Sequence, residues 1–315
     1  MTIPFLIFIT IFLALLFLVI REVRRSAGPK EWGKTPRWRK RLRVGLACIL
    51  LFFVGCLIYG FFIEPNRLIV RSETIQIQNW PPELSGLRIG VISDVHTGGP
   101  FIDEKKLRLI VERTNAQHPD LIVLLGDYMS PNSWHSHHVE PDVTAAVLKD
   151  LRAPLGVYSV LGNHDWWYDG AIVRKAFEAQ GIPILENQVR EIKWRDKSFW
   201  LAGLADYWTR AQRIEQTIGN VPPGATIIAL THNPDIFPRL PVNVPLMLAG
   251  HTHGGQVQVP FIGPPASSSE RSRRFYEGHY FENGHHLFIT TGIGTSLFPM
   301  RFRVPPEIVI LTITN

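Results

Sequence analysis

LRIGVISDVH, Leu87–His96, carries the pattern from which the rest of the fold follows. Leu87–Ile92 is short, mostly apolar and flanked by polar residues, the pattern of a strand covered on both faces, as in a parallel sheet. The run breaks off into Asp94 and His96 on either side of Val95. Side chains two apart in an extended segment point the same way, so the carboxylate and the imidazole share a side. The same grammar recurs in LIVLLGD (Leu121–Asp127), GVYSVLGNHD (Gly156–Asp165), TIIALTH (Thr226–His232) and VPLMLAGHTH (Val244–His253). Each apolar run delivers chemistry-bearing residues at its end. Carboxylates, imidazoles and one amide are the donor mix that first-row divalent metals accept.

Between these runs lie helical patterns. Asp103–Ala116 places Leu107, Ile110 and Val111 on one face, with Asp103 as N-cap. Val143–Leu151 suits a helix, and Ala171–Gln180 is a helix stopped by Gly181. Further strands are expected over Ile192–Leu204 (a pair around Asp196 and Lys197), Leu287–Thr291 and Glu307–Ile313. Strands alternating with helices define an α/β layered fold, which binds ligands at the carboxyl ends of its strands. Residues 64–86 read as a connector before a domain over 87–315, with an edge strand at Thr74–Gln78.

Taken singly, each motif has a bland reading. Asp94 and Asp127 suit turns, His96 suits a surface, and a lone His232 is more often structural. Asn163 and His164 suit a turn packed on Trp166 and Trp167. The set of five, each after a strand, outweighs those readings. A carboxylate at Asp127 is costly to bury without a partner and is able to bridge two cations. Asn163 supplies a neutral oxygen. Its neighbour His164 points elsewhere and suits proton donation or stabilisation of phosphoryl charge, with Asp165 orienting the imidazole. Gly250, Gly254 and Gly255 around His251 and His253 permit close backbone approach. The constellation fits two metals about 3.5–4 Å apart that activate water and clamp both oxygens of an in-line phosphoryl displacement.

These blocks (SDVHTG, GDY, GNHD and GHTHGGQ) resemble those of the calcineurin-like metallophosphoesterases, in particular the membrane-associated, YaeI/YkuE-like branch. The resemblance covers residues 86–314, including the closing RVPPEI at Arg303–Ile308, and no metal ligand is missing. It implies a four-layer sandwich of two mixed β-sheets flanked by helices. It implies that Asp94, His96, Asp127 and His253 hold one divalent metal, and that Asp127, Asn163, His232 and His251 hold a second. His164 is then the non-ligand imidazole beside the scissile phosphate. The cofactors are two divalent ions drawn from Mn, Fe, Zn or Mg. Relatives in the branch are associated with cleavage of UDP-2,3-diacylglucosamine in lipid A synthesis. A catalytically silent interaction platform and a phosphodiesterase acting on soluble nucleotides are the competing readings on this fold.

Hydrophobic residues make up 45% of 315, ample for a core. Cys48 and Cys56 share one apolar stretch and imply no disulfide framework. Residues 1–63 hold ten Lys/Arg against Glu22 and Glu31, a net +8, which leaves 23 basic and 25 acidic residues, a net −2, in the rest. A nucleic-acid binder carries its positive charge on the folded domain, so nucleic acid is not an expected partner. Two uncharged runs, 3–20 and 44–63, flank the basic segment 21–43. A bilayer-spanning helix needs about 20 apolar residues, so residues 1–63 are expected to form a two-helix membrane anchor. The positive-inside rule puts the basic segment in the cytoplasm and the catalytic domain outside it, with the cytosolic face as the alternative. Such an anchor motivates a lipid-linked phosphate ester as substrate. A cytosolic UDP-diacylglucosamine would sit on the opposite side from that placement.

Three other tracts receive structural readings. Trp134–His138 and the histidines 279, 285 and 286 are expected in solvated loops, as is the arginine-bearing stretch Ser267–Arg274. Trp166, Trp167 and Tyr168 are expected to pack on the core.

Overall fold

The computed structural model describes residues 13–14, 16–21, 24, 36–130, 136–265, 274–296 and 298–315. It divides into two compact units, Met1–Ile63 and Glu64–Asn315. In the first, helix α1 spans Arg37–Ile58 and continues into tighter and wider turns, so that Arg37–Asn66 is a single helical stretch long and apolar enough to cross a membrane. It begins inside the basic segment rather than at Val44, because Arg, Lys and Leu are good helix formers and Pro36 stands at its N-cap. The other expected membrane segment, 3–20, lies for most of its length outside the described residues.

The second unit is built on two sheets. In the first, the order is β1-β11-β2-β3-β4: Ile69–Gln76, Glu307–Thr314, Leu87–Ile92, Leu121–Leu124 and Val157–Ser159. Strands β2, β3 and β4 are parallel, β11 is antiparallel to β2, and β1 is parallel to β11. In the second sheet, the order is β5-β6-β7-β8-β10-β9: Gln188–Trp194, Lys197–Gly203, Ile227–Leu230, Leu246–Ala249, His285–Ile289 and Gly278–Glu282. Its central strands β6, β7, β8 and β10 are parallel, with antiparallel β5 and β9 at the edges.

Helices α2 (Glu104–Asn115), α3 (Pro141–Leu148) and α4 (Asn163–Ala179) cover the outer face of the first sheet, where Leu107, Ile110, Leu148 and Phe177 pack with Ile92, Ile122 and Leu124. Between the sheets, Ile89, Val91, Val123 and Leu125 meet Leu201, Ile228, Leu230, Leu248 and Phe288. Beyond the second sheet, short helix α5 (Ile214–Gly219) contributes Ile214 and Ile218 against Ala229, Met247 and Leu287. Strands β3, β7 and β8 are buried along their whole length, which is why their sequences are continuous apolar runs. The result is an α/β sandwich of two mixed sheets with helices outside.

The N-cap at Asp103 is present, its carboxylate accepting from the Lys106 amide at 2.7 Å. Helix α4 departs from expectation: it starts at Asn163, is interrupted at Asp169, and resumes where the sequence pattern begins. The Asp169 carboxylate accepts from the amides of Ala171 and Ile172 at 3.0 and 3.1 Å and caps the second part. Strand β1 begins at Ile69 rather than Thr74 and ends at Gln76 rather than Gln78, because its eight residues pair with all of β11. His279, His285 and His286 are not in a solvated loop. They lie in the β9–β10 hairpin, with His285 and His286 buried and the His279 and His286 rings stacked at 5.1 Å. The tract 131–135 and residues 266–273 fall outside the described residues; His138 and Arg274, at their edges, are exposed.

Leu248 has no exposure and sits between the sheets, so Leu248→Ala is expected to cost about 2–5 kcal/mol. Val242→Ser, at a fully solvated site, is expected to stay within about 0.5 kcal/mol of the parent. Denaturant unfolding of both variants checks the assigned inter-sheet core; equal effects would contradict it.

Candidate metal centre

The residues singled out in the sequence converge at the carboxyl ends of β2, β3, β4, β7 and β8. Asp94 and His96 follow β2, Asp127 follows β3, and Asn163 and His164 follow β4. His232 follows β7, and His251 and His253 follow β8. Five of them hold left-handed backbone at non-glycine positions: Asp94 (φ 53°), His96 (50°), Asp127 (56°), His251 (71°) and His253 (51°). Such conformations cost about 1–3 kcal/mol each and persist only where surrounding structure imposes them. The imposition is visible in the backbone. His96 N–H donates to the Asp127 carbonyl at 2.9 Å, and the Gly250 amide donates to that of His232 at 2.9 Å. The chains also come unusually close. A Cβ at Gly162 would lie 2.7 Å from the Asp127 nitrogen, and one at Gly250 would lie 2.6 Å from Asp94 Oδ2. Only glycine fits at either place.

Two sets of ligand-type atoms result: Asp94, His96 and His253 in one, and Asp127, His232 and His251 in the other. His96, Asp127 and His164 form a third set that joins them. His96 Nε2 and His253 Nε2 are 3.1 Å apart, and His253 Nε2 is 3.3 Å from Asp94 Oδ1. His232 Nε2 is 3.1 Å from both Asp127 Oδ2 and His251 Nδ1. Atoms that share one metal at bond lengths of about 2.1 Å sit about 3 Å apart, so these spacings fit metal polyhedra. Ring orientation fits as well. Nδ1 of His96 faces the Met129 carbonyl at 3.0 Å, and Nδ1 of His232 faces that of Leu125 at 2.7 Å, which turns each Nε2 toward the centre. Both polar atoms of the Asn163 carboxamide are buried with no hydrogen-bond partner among the described residues. A buried amide in that condition calls for a ligand.

The electrostatics follow from burial. Asp94, whose carboxylate accepts from the His251 amide at 3.0 Å, is pushed up to about 6 by desolvation. Burial also works to raise Asp127, but the surrounding imidazoles of His232, His164 and His96 outweigh it and hold its carboxyl well below the usual range. Burial works to lower His232, but the facing Asp127 carboxylate reverses this and raises it to about 10. His96, desolvated and near other imidazoles, falls to about 3, and burial also lowers His253 and His164. Without metal, an Asp127–His232 ion pair thus lies beside the imidazoles of His96, His164 and His253, whose burial favours the neutral form.

Asp165 does not orient the His164 ring. Its carboxylate accepts from four backbone amides instead: Asp127 and Gly162 at 2.8 and 2.9 Å, and Tyr128 and Met129 at 2.8 and 3.2 Å. It ties the end of β3 to the start of α4. The partner of His164 is Ser296, whose Oγ lies 3.2 Å from His164 Nε2. Sequence reasoning missed Ser296, although the glycines 292 and 294 directly after β10 repeat the strand-end signal of the other motifs. It also missed Arg301, which is fully buried and donates to the carbonyls of Thr291, Gly294 and Val304. Arg301 shapes the loop that carries Ser296. Trp166 and Tyr168 pack on the core as expected, but Trp167 is 60% exposed beside the site.

Residues 87–255 match the calcineurin-like phosphoesterase family. Over 262 residues the chain is 31% identical to a Bacillus subtilis protein named uncharacterized metallophosphoesterase YkuE, covering 82% of this chain and 89% of that one. It is 30% identical over 206 residues to phosphodiesterase YaeI of Escherichia coli, with 62% and 70% covered. It is 29% identical over 269 residues to a Danio rerio transmembrane protein with metallophosphoesterase domain, with 80% and 58% covered. The chain belongs to the calcineurin-like phosphoesterase family and is a metal-dependent phosphoester hydrolase. Within the family it falls with YkuE and YaeI. The family uses two divalent metals, and the clusters described here are able to hold them.

His232 binds its proton more tightly in the folded, metal-free protein than the ordinary value of 6.5, with a folded value of about 10. Its pairing with Asp127 therefore stabilises that state fully below pH 6.5 and ceases to do so as pH rises through about 10. Thermal unfolding of chelator-treated protein should show a falling midpoint over this window. His232→Gln should flatten the fall; an unchanged slope would contradict the ion pair.

Proposed function

We propose that this protein is a membrane-anchored, binuclear phosphodiesterase acting on a lipid-linked phosphate ester or pyrophosphate. The observation that carries the binuclear part is the convergence of Asp94, His96 and His253 beside Asp127, His232 and His251. The helical stretch Arg37–Asn66 and the relative named as a transmembrane protein support the anchor. The relative named phosphodiesterase YaeI supports a diester bond as the target.

In this reading Asp94, His96, Asp127 and His253 would hold the first ion, and Asp127, Asn163, His232 and His251 would hold the second, with Asp127 common to both sets. When bound, two such ions supply a water nucleophile at neutral pH and neutralise charge on phosphoryl oxygens. The chain's own residues do the positioning. His164 is fixed at both ends, its amide donating to Asp127 Oδ1 at 2.9 Å and its Nε2 facing Ser296. Burial keeps its imidazole neutral at pH 7, so it is able to offer a hydrogen bond to a phosphoryl oxygen without adding a cation to the centre. Asp165 holds the loop on which Asp127 and His164 stand, a positioning role. The positive-inside rule supports an extracytoplasmic catalytic domain.

Turnover of bis-p-nitrophenyl phosphate, p-nitrophenyl phosphate and UDP-2,3-diacylglucosamine by the full chain in lipid nanodiscs, with Mn²⁺ added, tests the reading. Asp127→Asn and His251→Ala are each expected to lose about 10²-fold or more in kcat, with His164→Ala retaining metal binding but losing about 10²–10⁴-fold. Folded Asp127→Asn or His251→Ala protein with full turnover would overturn the site assignment. Preference for the lipid-linked substrate is the expected order among the three.

A further inference from the structure

Two tryptophans stand over the centre with their rings in solvent. Trp167 is 60% exposed and Trp208 is 41% exposed. Each meets a different histidine of the centre edge-on: Trp167 with His164 at 4.7 Å between ring centroids, and Trp208 with His251 at 4.5 Å. The two indoles lie 6.1 Å apart and within 24° of parallel. Large exposed aromatics of this kind are unfavourable unless something covers them, and they are the residues that dominate recognition where they occur in a cluster.

Both rings are mounted on constrained backbone. Trp167 lies in the first turns of α4, just after Asn163, His164 and Asp165. Trp208 lies in a turn closed by Asp206, whose carboxylate accepts from the amides of Trp208 and Thr209 at 3.1 and 3.0 Å and from the Thr209 hydroxyl at 2.7 Å. The Asp206 carboxylate is itself buried. The pair therefore forms an apolar wall of two indoles that starts at His164 and His251 of the centre.

We infer that Trp167 and Trp208 form a subsite for a planar aromatic ring, an aryl group or a nucleobase, carried by the phosphate ester. The inference rests on the phosphate-ester reading above and adds the chemical class of one substituent. Exposed, near-parallel indole faces suit ring stacking, which is tolerant of ring identity because every aromatic ring presents a π-face.

The test is equilibrium binding to the Mn²⁺-loaded full chain in nanodiscs, by calorimetry with non-hydrolysable ligands. Phenylphosphonate is expected to bind about ten-fold tighter than methylphosphonate. Trp208→Ala and Trp167→Ala should bring that ratio to within about two-fold, while Trp208→Phe should keep most of it. A uridine 5′-methylenephosphonate compared with its base-free ribose counterpart separates the sources: a Trp208-dependent gain from the base assigns a nucleobase, and a gain confined to phenylphosphonate assigns a simple aryl group. Equal binding of the phenyl and methyl ligands would overturn the inference and leave the phosphate reading standing. A phenyl preference unchanged in both alanine variants would overturn it too. If neither phosphonate binds, the phosphate reading falls and this inference falls with it.

Discussion

The carboxylate of Asp127 is the constraint around which the domain is arranged. It is buried and charged, and a lone charge there would not be tolerated. His232 lies 3.1 Å from its Oδ2, His96 3.7 Å and His164 4.0 Å. The His164 amide takes its other oxygen, and Asp165 takes its own backbone amide. Three strand ends from the first sheet and two from the second must reach this one group. The sheet order, the left-handed turns and the absence of a Cβ at Gly162 all serve that convergence.

Strained backbone at five of the chemistry-bearing residues is the visible cost of the arrangement. Asp and His are among the residues that enter the left-handed region most readily, and Asp94, His96, Asp127 and His251 are tied by hydrogen bonds across the strand ends. Backbone carbonyls of Met129 and Leu125 occupy the outer nitrogens of His96 and His232 and turn both rings inward. Ring position is thus set by main-chain groups, which no residue-type pattern encodes.

The apolar runs announced the central strands because those strands are covered on both faces; β2 begins and ends where its run does. Helix α2 was equally legible, since its cap and its apolar stripe are local features. The chemistry-bearing residues were legible because each closes one of these runs. What the sequence concealed depends on distant contacts. Gly278–Glu282 is polar enough to read as loop and becomes a strand only by pairing with β10. Asp165 looked like a partner for its neighbour His164, yet helical geometry aims its carboxylate back at the amides of Asp127 and Tyr128. Trp208 and Arg301 carry no local signature at all. One gains meaning from His251 and the other from carbonyls of a loop it closes.

Strand β11 has a consequence for how the chain is made. Glu307–Thr314 is inserted between β1 and β2, pairing with Ile69–Gln76 on one side and with Leu87–Val91 on the other. Strands β1 and β2 are therefore separated by a slot that stays empty until more than two hundred further residues have been synthesised. Contacts of such long range form late, and edges left open in the meantime are the ones prone to wrong pairing. Pairing of β1 in this sheet is therefore tied to synthesis of Glu307–Thr314.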